Sequence, residues 1–373
     1  MQLEDIALTM VPGLGIKGIV HLLECFGSAA DIYSRPLRDL VHQARLREDV
    51  ARNVYTHETL GRAEKEMNYC RKHHILPVAS TDPEYPQIMR ETPDYPHVIY
   101  VNGSLDVFSK HTLTMVGTRE ATTYGRQMCN DLVRDLGERI PDLCIVSGLA
   151  FGIDAAVHRA CLDYDVQTVA VVANALPSVT PVEHAALADD IVARGGAVIT
   201  ELHSQTKQNG SLFITRNRIM AALGYGTLVV ESGASGGSLA TVNFADGYNR
   251  TVMAVPGRVT DRSSRGTNML IRNRKAQLVL SADDIVSEMM WDFDLPSKPV
   301  FTDKSREIYD SLLPVEKELL ECFGDSDTLS VNDLAIQSGL NIGDLSAHLM
   351  SMEISGAVRQ LPGNIYEKLL HAE

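Results

Sequence analysis

Residues 112 to 154 read TLTMVGTREATTYGRQMCNDLVRDLGERIPDLCIVSGLAFGID, which is one pattern twice: an apolar run, a glycine-containing turn and a helical segment. The apolar runs 113–116 and 143–146 contain β-branched residues, as buried parallel strands do. Both turns should lie at one edge of a parallel sheet, where the backbone N–H groups of two helix N-termini favour phosphate. Arg119 adds a full positive charge at this edge.

The composition limits the class of protein. A chain of 373 residues, 45% of them hydrophobic, is long enough for two or three domains with proper cores. The formal net charge of −14 argues against a protein that coats polyanions in general, but it is compatible with a local basic site. The six cysteines form no CxxC pair, and the chain has neither a signal segment nor a run of about 18 apolar residues. We therefore expect a cytoplasmic protein with reduced thiols and no membrane span.

Four segments are predicted along the chain: a helical domain at 1–75, a central domain at 76–290, a linker at 291–304 and a small domain at 305–373. The turn Val11-Pro-Gly-Leu-Gly-Ile-Lys-Gly18 in the first segment resembles a helix-hairpin-helix, whose backbone N–H groups bind nucleic-acid phosphate. A tight turn that needs glycine for positive φ explains this turn equally well, and both readings stay open.

The central segment alternates strands and helices, which predicts a doubly wound α/β sheet with ligands at the carboxyl ends of its strands. The predicted strands are 113–116, 143–146, 168–173, 197–200, 228–231, 251–255 and 277–280. The predicted helices are 124–138, 153–162, 183–194, 216–223, 238–248 and 283–290. Residues 76–111 contain five prolines, and within them 77–79 and 98–102 are expected to be strands at the edge of this sheet.

The tail has three helical stretches, 314–323, 330–338 and 342–355, followed by a hairpin formed by 357–360 and 365–368. This order is typical of a winged helix, and Ser330 and Asn341 are well placed as N-caps. The would-be recognition helix carries no Lys or Arg, although base reading in a duplex normally needs such side chains. We therefore favour a protein-contact or structural role for the tail over sequence reading.

Motifs for several common activities are missing from the sequence. The first turn has no GxGxxG and the second strand no terminal acid, so a dinucleotide is disfavoured, and a Walker A sequence does not occur. Neither GxSxG around Ser147 nor HExxH is present, and His158 and His184 are expected to be structural. We expect no cofactor, no metal and no catalytic set.

Three further stretches could meet a ligand at the same edge. The loop after Glu231 is rich in small residues, and we favour a ligand-lining role for Glu231 over an internal cap. Arg216 and Arg218 open a helix without fully sharing one face, so one could face a ligand while the other forms an ion pair. Residues 258–275 hold six basic side chains against one acid, which favours binding to a phosphate backbone. A narrow basic edge suits a single strand better than a duplex.

Five motifs stand in the order seen in the DNA-processing protein A (DprA/Smf) family, which the chain resembles from residue 1 to about 290. They are Met115-Val-Gly-Thr-Arg119, Ser147-Gly-Leu-Ala-Phe-Gly-Ile-Asp154, Arg216-Asn-Arg-Ile219, Ser235-Gly-Gly-Ser-Leu239 and Ala254-Val-Pro-Gly257. The resemblance implies an extended Rossmann-like domain, an N-terminal SAM/helix-hairpin-helix-like domain and a C-terminal winged helix. It further implies a non-enzymatic, homodimeric protein that binds single-stranded DNA in natural transformation, protects incoming strands and helps load the RecA recombinase.

The resemblance also implies a set of DNA-binding residues, with Arg119 as the principal arginine. The phosphate-facing loops would supply Ser147, Gly148, Gly152, Gly237 and Ser238, and the pair at the pocket rim would be Arg216 and Arg218. The charge of the basic stretch adds Arg265 and Lys275 to the predicted DNA-binding residues. The chain departs from the family pattern at 172–181, at 213–215, at 275–276 and at Phe151. The alternative is a protein that binds or hydrolyses a small nucleotide at the same edge, with Glu231 as its acid.

Overall fold

The computed structural model describes residues 1–291, 308–309, 311–323, 326, 328–361 and 364–369. The chain divides into two compact units, Met1–Asp292 and Phe293–Glu373. The predicted linker at 291–304 lies outside the described residues except for Trp291, which is buried in the first unit. No helix in the described ranges is both long and apolar enough to cross a bilayer.

The first unit begins with six helices: α1 (Leu3–Thr9), α2 (Ile16–Phe26), α3 (Ala29–Ser34), α4 (Leu37–His42), α5 (Glu48–Tyr55) and α6 (Glu58–Lys72). Their apolar side chains and those of neighbouring strands form one hydrophobic cluster. The first helix is also tied to the sheet by buried polar groups, since His97 lies 3.1 Å from the Asp5 carboxylate and 2.8 Å from the Ser80 hydroxyl. The boundary predicted at residue 75 stays a prediction, because helices and sheet share this cluster.

Nine strands form the central sheet, in the order β1-β2-β6-β5-β4-β3-β7-β8-β9. They are β1 (Leu76–Ala79), β2 (Val98–Gly103), β3 (His111–Gly117), β4 (Leu143–Ser147), β5 (Gln167–Val171), β6 (Ala197–Thr200), β7 (Gly226–Glu231), β8 (Thr251–Ala254) and β9 (Gln277–Leu278). Across the sheet, every neighbouring pair in the order β6-β5-β4-β3-β7-β8-β9 is parallel, while the pairs β1–β2 and β2–β6 are antiparallel. The predicted doubly wound sheet is confirmed, except that β2 lies inside the sheet and only β1 forms that edge.

The helices of the central sheet are α7 (Gln87–Arg90), α8 (Thr123–Arg139), α9 (Ile153–Asp163), α10 (Ala185–Ala193), α11 (Ser211–Leu223), α12 (Gly237–Gly247), α13 (Arg265–Arg272) and α14 (Ala282–Glu288). Helix α11 begins five residues before the predicted start at Arg216. The basic stretch 258–275 is not one loop, because α13 occupies eight of its residues. The chain order reverses between β3 and β7, and this switch point is where doubly wound sheets form their ligand crevice.

The second unit contains α15 (Pro314–Glu321), α16 (Val331–Ser338) and α17 (Ile342–Ile354). Three short strands, β10 (Thr328–Ser330), β11 (Val358–Leu361) and β12 (Ile365–Lys368), form a sheet in the order β10-β12-β11. Ser330 caps α16 by accepting from the Asp333 N–H at 3.1 Å, and Asn341 caps α17. The winged-helix prediction and both caps are confirmed, and β10 is an additional strand that the sequence pattern did not show.

Candidate nucleic-acid interface

A cleft of about 650 Å³ opens at the carboxyl ends of β3, β4 and β7. One wall is the turn after β3, a second is the first half of α11, and the third is the small-residue loop between β7 and α12. These are the turns expected to meet at this edge from the sequence. The side chains and backbone groups lining it include Thr118, Arg119, Asp154, Phe213, Arg216, Asn217, Gly237 and Ser238.

Arg119 is the exposed cation of this cleft. Its guanidinium carbon lies 5.7 Å from the centre of the Phe213 ring, a cation–π arrangement that orients the side chain across the opening. Within the described ranges, no carboxylate lies within 4.0 Å of this guanidinium. Arg119 therefore combines an oriented charge with donors that are free for a phosphate.

The turn after β4 is rigid and is locked to the turn after β3. The Ile153 N–H donates to the Thr118 carbonyl at 3.0 Å, and the Ala155 N–H donates to the Ala150 carbonyl. Gly152 has φ +80°, and a Cβ there would lie 2.2 Å from the Thr118 oxygen, so only glycine fits. The N–H groups of Ile153 and Ala155 at the start of α9 are consequently used within the protein, so this turn offers fewer free donors than the sequence predicted.

Ser147 and Gly148 support the cleft from below. The Ser147 hydroxyl is buried and donates to the Met115 carbonyl at 2.7 Å, which ties β4 to β3. A Cβ at Gly148 would lie 2.2 Å from Arg216 Nη1 and 2.6 Å from Asp154 Oδ2. Gly148 therefore leaves room for the side chains of Arg216 and Asp154. The Ser147 hydroxyl donates within the protein and not to a ligand.

Arg216 is a buried cation at the floor of the cleft and is only 6% exposed. Its Nη1 donates to the carbonyl oxygens of Gly148, at 2.6 Å, and of Val171, which joins the ends of β4 and β5. Burial lowers its pKa to about 10, against the opposing effect of the Asp154 carboxylate. Its buried Nε has no hydrogen-bond partner in the described part of the chain. Arg216 thus contributes a fixed positive charge beneath the cleft, and little of its side chain is accessible for direct contact with a ligand.

Helix α12 supplies the free backbone donors. No side chain caps its N-terminus, so the N–H groups of its first turn at Gly237 and Ser238 stay available to an anion. Asn217 donates to the Gly237 carbonyl at 3.0 Å, which ties α11 to the start of α12. The Ser238 hydroxyl lies 2.9 Å from that of Ser232. The donors that favour phosphate therefore come from this loop and from Arg119.

Glu231 has an internal role. Its carboxylate accepts hydrogen bonds from the Thr122 N–H at 2.9 Å and from the Thr122 hydroxyl at 2.8 Å. Thr122 in turn caps α8 by accepting from the Gly125 N–H. Glu231 is 1% exposed and does not line the cleft. The interpretation that favoured a ligand-lining Glu231 is therefore wrong.

The chain was compared with protein-family models and with known relatives. The model of the family described as DNA recombination-mediator protein A matches residues 77–290, and the DprA winged helix domain matches residues 305–364. The chain belongs to the DprA family. The resemblance seen in the five motifs is thereby confirmed.

Similar relatives include Protein Smf of Escherichia coli, 33% identical over 80% of this chain and 78% of that protein. The putative DNA processing protein DprA of Mycobacterium tuberculosis is 35% identical over 68% of this chain and 63% of that protein. The X-ray structure of DprA from Streptococcus pneumoniae matches with a TM-score of 0.68 and 28% identity, over 77% of this chain and 98% of that one. A Helicobacter pylori DprA structure, described by its single-stranded DNA binding mode, matches with a TM-score of 0.52 and 22% identity over 59% of this chain and 97% of that one.

The remaining residues implied by the DprA resemblance lie apart from the cleft. Arg218 is buried, donates to the Asp94 carbonyl and forms an ion pair with Glu201, so it is the paired member of the two arginines. Lys275 lies two residues before Gln277, which pairs with Met253 of β8, so Lys275 is at the amino ends of the strands. Arg265 begins α13 near the carboxyl ends and is exposed. The structure brings neither Arg218 nor Lys275 into the cleft.

Other residues of the site were not assigned from the sequence. Phe213 was not singled out as a site residue, and Asp154 was only the last residue of a motif, yet both line the cleft. Burial raises the pKa of the Asp154 carboxyl, with the Arg216 charge acting in the opposite direction. The two histidines are structural as expected: His158 hydrogen-bonds Thr168 at 2.8 Å and burial lowers its pKa to about 3, while His184 contacts the Leu149 carbonyl.

Proposed function

We propose that the chain is a DNA-processing protein that binds single-stranded DNA along the carboxyl edge of its sheet. The observation that carries the proposal is Arg119, exposed, oriented by Phe213 and without a carboxylate partner in the described ranges, beside the free N–H groups of α12. This arrangement offers donors to phosphate oxygens and no sequence-reading element. The name of the H. pylori relative, which states single-stranded DNA binding, supports the same proposal.

Substitution of Arg119 tests this proposal. We expect Arg119→Glu to weaken oligo-dT binding by about tenfold or more, because it replaces a phosphate donor with a repulsive charge. Fluorescence anisotropy at several salt concentrations measures it, and the wild-type affinity should fall as salt rises. Arg38→Glu is the control for net charge, since the Arg38 side chain is 81% exposed on α4. An Arg119→Glu protein that binds like the control, or salt-independent binding by the wild type, would sink the proposal.

The alternative function, binding or hydrolysis of a small nucleotide, required Glu231 as its acid, and the structure gives Glu231 another role. Both oxygens of Glu231 accept hydrogen bonds from Thr122, and the carboxylate is turned away from the cleft lining. We therefore propose a binding protein without catalytic activity. Release of base or phosphate on incubation with nucleoside monophosphates would contradict this choice.

The narrower roles are part of the proposal and rest on the family resemblance. They are protection of incoming DNA in natural transformation, loading of RecA, assembly as a homodimer and a cytoplasmic location. The edge strand β9 supports the homodimer, because Leu278, Leu280 and the nearby Met269 are 44%, 66% and 45% exposed. Sedimentation of the wild type against Leu280→Lys tests the dimer. RecA-catalysed strand exchange on coated DNA, with and without the protein, tests the loading.

A further inference from the structure

A second depression, of about 440 Å³, lies beside the cleft where α8, α9 and the turn before α9 meet. Its charged and aromatic lining consists of Arg126, Phe151, Arg159, Asp163, Glu183 and His184. None of these residues belongs to the proposed Arg119 contact, and Phe151 is one of the positions where the chain departs from the family pattern. This depression therefore requires an explanation of its own.

Phe151 is an exposed aromatic ring in a fixed position. It is 47% exposed, and its ring meets the His184 imidazole edge to face, with centroids 4.9 Å apart and planes at 62°. His184 is itself buried and held by a 2.7 Å contact between its Nδ1 and the Leu149 carbonyl. A ring held in this way can stack on a base at little cost in side-chain entropy.

Two arginines flank this ring without an ion-pair partner among the described residues. Arg126 and Arg159 are exposed, and no carboxylate of the described residues lies within 4.0 Å of either guanidinium. Asp163 and Glu183 lie on the same depression, so its formal charges cancel and it would not concentrate a free polyanion. A nucleotide of a strand that is already held nearby would reach it at high effective concentration.

The depression borders the backbone of the Arg119 turn through Gly152, which is part of its lining. Gly152, the next residue after Phe151, packs so closely on that turn that a Cβ would lie 2.5 Å from the Arg119 carbonyl carbon. Phe151 is therefore adjacent in the chain to the residue that contacts the Arg119 backbone, so a strand held at Arg119 has this ring within its surroundings. The two arginines then lie on the two helices that flank it, where they can reach the following phosphates.

We propose that this depression is a stacking subsite for one nucleotide of single-stranded DNA, with the base on Phe151 and the phosphates at Arg126 and Arg159. The inference rests on the proposed function, because the strand must first be held at Arg119. It assigns the site a preference for an unpaired base, since a base inside a duplex has no free face to offer.

The test compares full-length variants by equilibrium binding to oligo-dT and to duplex DNA. Phe151→Ala and Phe151→Leu should each weaken single-strand binding by about fivefold or more, since one lost stacking contact costs about 1–3 kcal/mol, and leave duplex binding unchanged. Phe151→Trp should restore it. Tyr55→Ala is the matched control, because Tyr55 is 51% exposed and also meets a histidine edge to face, at 62°. It should bind like the wild type.

A second measurement separates stacking from other effects. One abasic position, moved along the oligonucleotide, should weaken wild-type binding at one place, and this loss should vanish in Phe151→Ala, as in a double-mutant cycle. If Arg119→Glu weakens binding while Phe151→Ala does not, the subsite is refuted and the proposed function stands. If the wild type fails to bind single strands, both are refuted. Equal abasic losses in wild type and variant also overturn the subsite.

Discussion

At the scale of single residues, the cleft depends on buried groups beneath its surface as well as on the exposed Arg119. Gly148 leaves the space that Arg216 and Asp154 occupy on either side of the turn. Arg216 cannot move aside easily, because Nη1 donates to two carbonyl oxygens in a buried site. The position of the turn therefore depends on a glycine whose φ is ordinary and whose missing Cβ is what matters.

We predict that Gly148→Ala destabilises the protein by about 1–3 kcal/mol, the usual range for overpacking, and weakens binding of single-stranded DNA. Gly247→Ala is the control, because a methyl group on this exposed glycine of α12 would lie within 4 Å of no described atom beyond its own stretch of helix. Chemical denaturation gives the free energies of unfolding, and anisotropy gives the affinities. A Gly148→Ala protein as stable as the control would show that Arg216 relaxes without cost.

At the scale of elements, the basic stretch 258–275 divides between the carboxyl ends and the amino ends of the strands. Arg258 and Arg262 line a depression of about 1120 Å³ that also contains Thr118 of the turn after β3, together with the acids Glu120 and Asp261. Helix α13 then carries the chain across to the amino ends, where Lys275 lies. Only the first part of the stretch, which contains Arg258 and Arg262, lies where it can bind the same DNA strand as Arg119.

We predict that Arg258→Ala and Arg262→Ala each weaken single-strand binding several-fold. Each should also reduce the slope of log K against log salt by about 0.7, the value for one lost phosphate contact on a single strand. Lys275→Ala should leave both quantities unchanged. The salt titration decides the matter, since a loss of slope in Lys275→Ala would place the strand on the opposite edge.

The sequence predicted the secondary-structure elements better than it predicted the side-chain contacts between them. Strands β3 and β4 were evident because buried parallel strands are continuous apolar runs, and the winged-helix caps were evident because Ser and Asn bond locally. The spacing of Arg216 and Arg218 predicted that their contacts would differ, but it did not show which of them forms the ion pair. The separation of Arg258 from Lys275 was not evident, because it depends on where α13 begins. Glu231 was misjudged because its partner, Thr122, is 109 residues away in the chain.

At the scale of the whole molecule, the cleft and its supporting network lie within the first compact unit, Met1–Asp292. Helix α17 of the second unit has no Lys or Arg and exposes Ile342, Met350 and Ile354. A helix without basic side chains offers no cation to a phosphate, so we do not expect α17 to add to DNA affinity. Trp291 is the last described residue of the first unit and is buried against His111 and Tyr225, with ring-centroid distances of 5.5 and 6.4 Å.

We therefore predict that a chain ending at Asp292 binds oligo-dT within about twofold of the full chain, because it keeps every cleft residue. A chain ending at Met290 should melt roughly 5–10 °C lower, since it loses a buried tryptophan worth about 3–5 kcal/mol. Trp291→Ala in the full chain should reproduce that shift. Calorimetry and anisotropy on the three proteins measure both effects. If the chain ending at Asp292 lost its affinity while melting normally, the second unit would hold DNA contacts that α17 does not provide.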